Sequence, residues 1–185
     1  MANEILGKLK TEWSFQSASY SPTGVSDLSS GSPTVVDLTL SSIADGAAVN
    51  SDQLDFGTLI PEYIDVVAAL EWFAAVSAGG TVDFYWSESA NSAVGTGNPG
   101  KPDGVDGAYT GDGGGTVAES VTQMTYIGSF ITTDLVGVQI AKVGRFEPTM
   151  RYGQLVIVNS SGTTVCGTDD IESSVLFYGS TMEIQ

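Results

Sequence analysis

The apolar and polar positions alternate most regularly between residues 64 and 86. Ile64, Val66, Ala68, Leu70, Trp72, Ala74 and Val76 hold the even positions, with Asp65 and Glu71 at odd ones. Extended backbone sends successive side chains to opposite faces, so the even residues can face a core while both carboxylates face water. A helix would set Asp65 and Glu71 roughly 240° apart and split the charges over two faces. The alanines favour helix by intrinsic propensity, but the alternation favours a strand, and a strand is the expectation. Beyond Ser77-Ala78-Gly79-Gly80, Val82, Phe84 and Trp86 face one way and Thr81, Asp83 and Tyr85 the other. The two runs read as a central hairpin.

The same period recurs along the chain. Val36, Leu38 and Leu40 oppose Asp37, Thr39 and Ser41. Residues 54–59 make a short strand. Met124, Tyr126 and Gly128 alternate with Thr125, Ile127 and Ser129. Val136, Val138 and Ile140 open a strand that runs to Phe146 past a bulge near Gly144. Leu155-Val156-Ile157-Val158 is apolar on both faces, as a strand covered on both sides requires. Two last strands, 175–178 and 182–184, are separated by Gly179-Ser180. Eight or nine strands without a helix predict an all-β, antiparallel β-sandwich of jelly-roll type. Val36, Leu38, Leu70, Trp72, Phe84, Trp86, Leu155 and Ile157 should face inward. No fixed repeat points to a propeller or solenoid.

Two stretches break the pattern. Residues 1–32 read as an N-terminal arm before a sandwich domain over 33–185. The arm holds Lys8, Lys10, Trp13, Phe15 and Tyr20, and three aromatics are unusual in a disordered tail. It packs either on its own domain or on a neighbouring subunit, and these five residues are the candidate partner-binding set. Residues 87–120 read as one long Gly/Asp-rich loop; a structureless excursion of that length is either a functional surface or packs on a neighbour.

Composition narrows the chemistry. One domain fits 185 residues, and 42% hydrophobic content suffices for a core. The net charge of -16, with six Lys and Arg in all, repels phosphate backbones and anionic lipid, so neither nucleic acid nor membrane is an expected partner. No apolar run reaches the roughly 18 residues of a membrane helix, and the first residues show no basic and then apolar leader. There is no histidine and a single cysteine, Cys166. That arithmetic removes Ser-His-Asp triads, histidine zinc sites and an internal disulfide. Cys166 has no basic neighbour in sequence to activate it.

What remains is weak. Gly111-Asp112-Gly113-Gly114-Gly115 lacks the Lys-Ser/Thr ending of a phosphate loop. Glu71 and Asp83, on facing strands of the expected hairpin, could form a carboxylate pair, but a solvated face explains them as well. Asp103, Asp106 and Asp112 in a glycine-rich loop are calcium candidates by ligand chemistry, though not by EF-hand spacing. Tyr63, Trp72, Tyr85 and Trp86 could line a sugar site, with core packing the better reading for both tryptophans. No cofactor is expected, and no enzymatic activity.

One resemblance goes further. Ser42-Ile43-Ala44-Asp45-Gly46 is followed by Gly79-Gly80-Thr81-Val82-Asp83-Phe84-Tyr85-Trp86-Ser87 and a Gly/Asp loop. Then come Tyr126-Ile127-Gly128-Ser129, Phe146-Glu147-Pro148, Arg151-Tyr152-Gly153 and Leu155-Val156-Ile157-Val158-Asn159-Ser160-Ser161-Gly162. This order resembles small β-sandwich virion structural proteins of tailed bacteriophages over residues 40–162. The resemblance implies a capsid decoration or cement protein of the phage particle. Its partner would be the major capsid protein or another virion protein, and it would form a homo-oligomer. A tail or head-fibre component, or a carbohydrate-binding module with a calcium site, is the alternative.

Overall fold

The computed structural model describes the backbone of residues 5–184 and the side chains of 11–24 and 26–181. Among them are β1 (Ile5–Gln16), β2 (Thr34–Asp37), β3 (Ala48–Asn50), β4 (Leu54–Asp55), β5 (Tyr63–Trp72) and β6 (Thr81–Ser89). They are followed by β7 (Gly107–Tyr109), the helical turn α1 (Val117–Ser120), β8 (Thr125–Ile131), β9 (Gly137–Phe146), β10 (Tyr152–Ser160) and β11 (Ser174–Ile184). The fold is an all-β sandwich of two sheets. One has the order β2-β1-β11-β5-β9, the other β7-β3-β10-β6-β8, with β4 also on β10. The strand pairs are antiparallel except β1 with β2, which run parallel.

The alternation predicts the buried faces of β2, β5, β6 and β10 correctly, but not those of β8 and β9, where Tyr126, Val136 and Ile140 are exposed and Ile127 is buried. Val36, Leu38, Leu70, Trp72, Phe84, Trp86, Leu155 and Ile157 are all buried. The expected hairpin is not formed. β5 lies between β11 and β9 in the first sheet, and β6 between β10 and β8 in the second. Period 2 decides which side of a strand is buried but says nothing about its hydrogen-bonded neighbour. Both strands carry a continuous apolar face, and the fold sets those faces against each other across the roughly 10 Å between packed sheets. β5 also ends at Trp72; Ala74 is exposed, whereas Val76 turns back into the core.

The N-terminal stretch takes the first of its two alternatives and packs on its own domain. β1 pairs with β11 from Ile5↔Ile184 to Phe15↔Val175 and with β2 on its other side. Trp13 and Phe15 are buried in the common core. From Trp13 to Phe15 the strand is flanked on both sides and its backbone groups are satisfied within the sheet, so the boundary at 32/33 divides one domain. β11 is likewise one strand, not two. Gly179 is there because Trp13 packs over it: a Cβ would stand 2.7 Å from Trp13 Cζ3.

At the centre lies an aromatic cluster drawn from both sheets. Trp86 is 5.5 Å, centroid to centroid, from each of Phe56, Phe146 and Phe177. Phe177 also meets Phe15 at 4.6 Å, and Phe56 meets Trp13 at 5.1 Å. The stretch 87–120 is more ordered than its composition predicts. β7 adds a strand to β3, and α1 begins with a capping box between Thr116 and Glu119. Tyr109, Val121 and Met124 pack with Val156 in a smaller cluster on the outer face of the second sheet. That cover explains why 155–158 is apolar on both faces.

Where the sheets meet at one side, β8 and β9 press backbone on backbone. A Cβ at Gly128 would fall 2.2 Å from the Val143 carbonyl oxygen, and one at Gly144 would fall 2.2 Å from that of Ile127. The expected bulge is here: the β5–β9 register skips Val143, between Lys142 and Gly144. Gly144→Ala should therefore cost at least about 2 kcal/mol, because backbone must move to admit the methyl group. Urea denaturation checks this; a loss of a few tenths of a kcal/mol would show that the strands part freely.

A buried carboxylate ties the turn before β11 to the segments that follow β1 and β2. Asp170 Oδ1 accepts from Ser17 Oγ at 2.7 Å and Ser19 Oγ at 3.1 Å, and Oδ2 from the Leu40 and Ser41 amides at 2.9 and 3.2 Å. Asp170→Ala orphans four donors, and hydrogen bonds to charged groups contribute roughly 1.5–3 kcal/mol each in context. The variant should melt well below the wild type, and an unchanged melting temperature would refute the staple.

Candidate functional site

A groove of about 420 Å³ opens on the outer face of the second sheet. Its floor is Asp83 and Tyr85 of β6 with Val158 and Ser160 of β10, and its wall is Val117, Ala118, Val121 and Thr122 around α1. The odd positions of β6 face outward because the even ones fill the core, which puts Asp83 and Tyr85 on this floor. Tyr126 of β8 lies beside Tyr85 with ring centroids 5.4 Å apart. Asp83 accepts a hydrogen bond from Ser129 Oγ, and that hydroxyl also bonds to the Tyr126 hydroxyl. Burial raises the Tyr85 hydroxyl above its ordinary value, with Asp83 pushing the same way. The result is an aromatic platform edged by an anionic acceptor, which suits a neutral, hydroxyl-rich ligand better than an anion.

The sequence points to Tyr85 but not to Tyr126 or the wall. Trp72 and Trp86 are core residues, and Tyr63 lies under the Arg145 guanidinium, 4.1 Å from its ring. The wall was legible in principle: Thr116-Val117-Ala118-Glu119 is a capping-box sequence, hidden among the glycines around it.

The three calcium candidates do not converge. Asp103 Oδ1 accepts from Asn50 Nδ2 at 3.1 Å and the Val105 amide at 3.2 Å. Asp106 holds the Thr39 amide and hydroxyl, both at 2.6 Å. Asp112 accepts from the Gly115 amide at 2.8 Å, and the Gly115 and Gly114 amides hold its carboxyl below the usual range. Asp103 and Asp106 tie the loop to Asn50 and Thr39 while Asp112 holds its own turn, and among the described residues no group of three His, Cys, Asp or Glu is placed to hold a metal ion.

The candidate partner-binding set is divided too. Trp13 and Phe15 are interior, so neither is available to a partner in this fold. Tyr20 clamps the covering segment 17–28 to the first sheet: its hydroxyl accepts from Ser174 Oγ at 3.2 Å and donates to the Ser26 carbonyl at 3.4 Å. Lys8 and Lys10 are on β1, and their side chains lie outside the described residues.

The supposed Glu71–Asp83 pair is split between the two sheets. Glu71 instead neighbours the 169–172 turn. Burial raises its carboxyl above the ordinary range, and Asp169 and Glu172 add to the rise. Glu71 Oε2 and Asp169 Oδ1 are buried without a hydrogen-bond partner within the chain. Close by, Cys166 donates to Ser173 Oγ at 2.9 Å, and burial pushes its thiol up to about 12. Such a thiol is a core group, not a nucleophile. No known family model matches the chain, and no curated protein matches it.

Two outcomes follow from this chemistry. A carboxyl whose folded pKa is raised binds its proton more tightly in the folded state. Its contribution is therefore fullest below the unfolded pKa and is lost as pH rises through the folded one. Glu71→Gln should raise the melting temperature at neutral pH, with the gain vanishing in acid below the ordinary glutamate range. A gain independent of pH would assign it to packing. Thiol reagents should label Cys166 no faster than the chain unfolds, and immediate labelling of native protein would contradict its burial.

Proposed function

We propose that this chain is a non-enzymatic structural protein of a phage particle, a decoration or cement protein on the capsid shell, and that its sandwich is a jelly roll. The observation that carries the reading is the strand order. With β2, β4 and β7 set aside as additions, the sheets are β1-β11-β5-β9 and β3-β10-β6-β8. Along the chain the strands visit the first sheet, the second, the first, the second twice, and then the first, second and first. That alternation supports a double Greek key of the kind that viral shell domains and lectins share. Because one fold hosts several functions, the assignment to a shell leans on the resemblance to small virion proteins. The rigid aromatic core and the inert cysteine agree with it.

Attachment falls to exposed apolar groups on the long loop, since Trp13 and Phe15 are interior. Val94 and Val105 are exposed there. The chain should be found in purified particles of the phage that encodes it and should sediment with shells depleted of it. Val94→Asp with Val105→Asp should reduce the bound fraction about tenfold, equivalent to 1.4 kcal/mol, while moderate salt leaves it bound. No sedimentation with shells would overturn the reading; full release by salt alone would assign attachment to charge.

The Tyr85–Tyr126 platform with Asp83 favours a second reading, a carbohydrate-binding module that uses the groove and not the Asp loop. Glycan binding abolished by Tyr85→Ala and indifferent to chelation would support it over the shell protein.

A further inference from the structure

We propose that the β8–β9 edge is the surface through which two copies of this chain associate about a two-fold axis. The proposal rests on the functional reading in that it names the contact behind the expected homo-oligomer.

The edge is unusual in what it exposes. Ile131 is 65% exposed, Leu135 63%, Val136 62% and Ile140 45%. The register shows that they adjoin. Val136 precedes Gly137, the partner of Trp72, whereas the Phe73 ring lies over Gly167 and outside this edge. Ile131 ends β8 opposite Thr81, on the outer face of the second sheet, and Ile140 pairs with Ala69 on the outer face of the first. Ile131, Leu135, Val136 and Ile140 thus wrap round the edge from one sheet to the other and expose on the order of 400 Å², within the range of the largest patches that monomers show. That is about half of the roughly 800 Å² per partner of a stable interface, and a polar rim supplies the rest.

The edge is also pre-shaped. Gln139 Oε1 accepts from the Thr133 amide at 2.9 Å, and its Nε2 donates to the Leu135 carbonyl at 2.8 Å, so one side chain holds the turn. The glycine contact between β8 and β9 fixes its base. Little conformational freedom remains to be lost on association.

Charge selects the occupant. The chain carries -16 overall, yet segment 125–146 contains one carboxylate, Asp134, against Lys142 and Arg145. Both cations are held by Asp65 of β5, at 2.6 and 2.7 Å. A basic partner would be drawn to the acidic remainder of the surface, not here. Asp134 in the turn and Glu71 opposite Val138 adjoin the patch, but Lys142 and Arg145 bring the local charge close to balance, so a partner as acidic as this chain is repelled least here, and a second copy presents the identical patch. The contact is isologous, with apolar side chains at its centre.

Sedimentation velocity on the full chain tests this. The wild type should pass from one copy to two as concentration rises. Added salt should strengthen the dimer, because it screens the repulsion between two acidic bodies and leaves apolar contact intact. Leu135→Glu with Ile140→Glu should weaken association by more than about tenfold, and Val136→Lys, of opposite charge, should do the same. Leu59→Glu, at an exposed leucine elsewhere, should leave it unchanged. All variants should melt like the wild type at concentrations where each is a single copy. A chain that stays single at every concentration, a dimer indifferent to the edge substitutions, or a dimer that salt dissolves would overturn the proposal. Shell binding is read separately, so retention on shells by a single-copy protein would leave the structural role standing without this interface.

Discussion

The packing of Trp86 against Phe177 across the sandwich is the contact on which the rest depends. Trp86 comes from the second sheet and Phe177 from the first, and the ring cluster around them recruits Phe146, Phe56, Phe15 and Trp13. Large rings in edge or tilted contact bury much area and fix direction, because their quadrupoles disfavour face-to-face stacking. Once this cluster forms, the two sheets can no longer slide. Gly153 then has to be a glycine: a Cβ there would stand 2.3 Å from Trp86 Cζ2. Gly179 serves Trp13 in the same way.

With six cations for 22 acids, most carboxylates cannot form ion pairs. The fold uses them as acceptors for backbone and hydroxyl groups of the loops. Asp170 joins the 167–173 turn to two other segments, Asp106 holds Thr39, and Glu172 takes the hydroxyls of Thr23 and Ser26. Ion pairs remain where strands need cross-linking at the surface, as at Asp65 with Arg145 and Asp55 with Arg151. Such exposed pairs contribute little each. The acidic surface is thus a scaffold of loop contacts as well as a source of repulsion, and the acid-poor β8–β9 edge stands out against it.

Function and fold are joined by the covering of the second sheet. Its outer face is closed on one side by Tyr109, Val121 and Met124 over Val156 and left open on the other as the Tyr85 groove. The proposed ligand or shell contact would use this surface and the loop beside it. The first sheet's outer face is covered in turn by the segment that Tyr20 and Tyr178 hold, the latter by donating to the Leu28 carbonyl at 2.6 Å. Both coverings are made by stretches that carry no periodic pattern.

The amino-acid sequence alone determined which residues of β2, β5, β6 and β10 are inside. Alternation at Val36, Leu70, Trp72, Phe84, Trp86, Leu155 and Ile157 reads directly as burial, since period 2 is a property of the strand itself. The bulge near Gly144 was legible for the same local reason, as was the double covering of 155–158. Tertiary structure alone decided strand partners: β5 and β6 look like a hairpin because they are adjacent and apolar, yet they face each other from different sheets. It also turned the N-terminal aromatics from an arm into core, because nothing local distinguishes a strand that pairs with β11 from one that reaches a neighbour. The three loop aspartates were separated, and Tyr126 was brought to Tyr85, by register between strands distant in sequence. Side-chain chemistry and local periodicity are written residue by residue, whereas pairing is a choice among many similar apolar strands that only the closed core resolves.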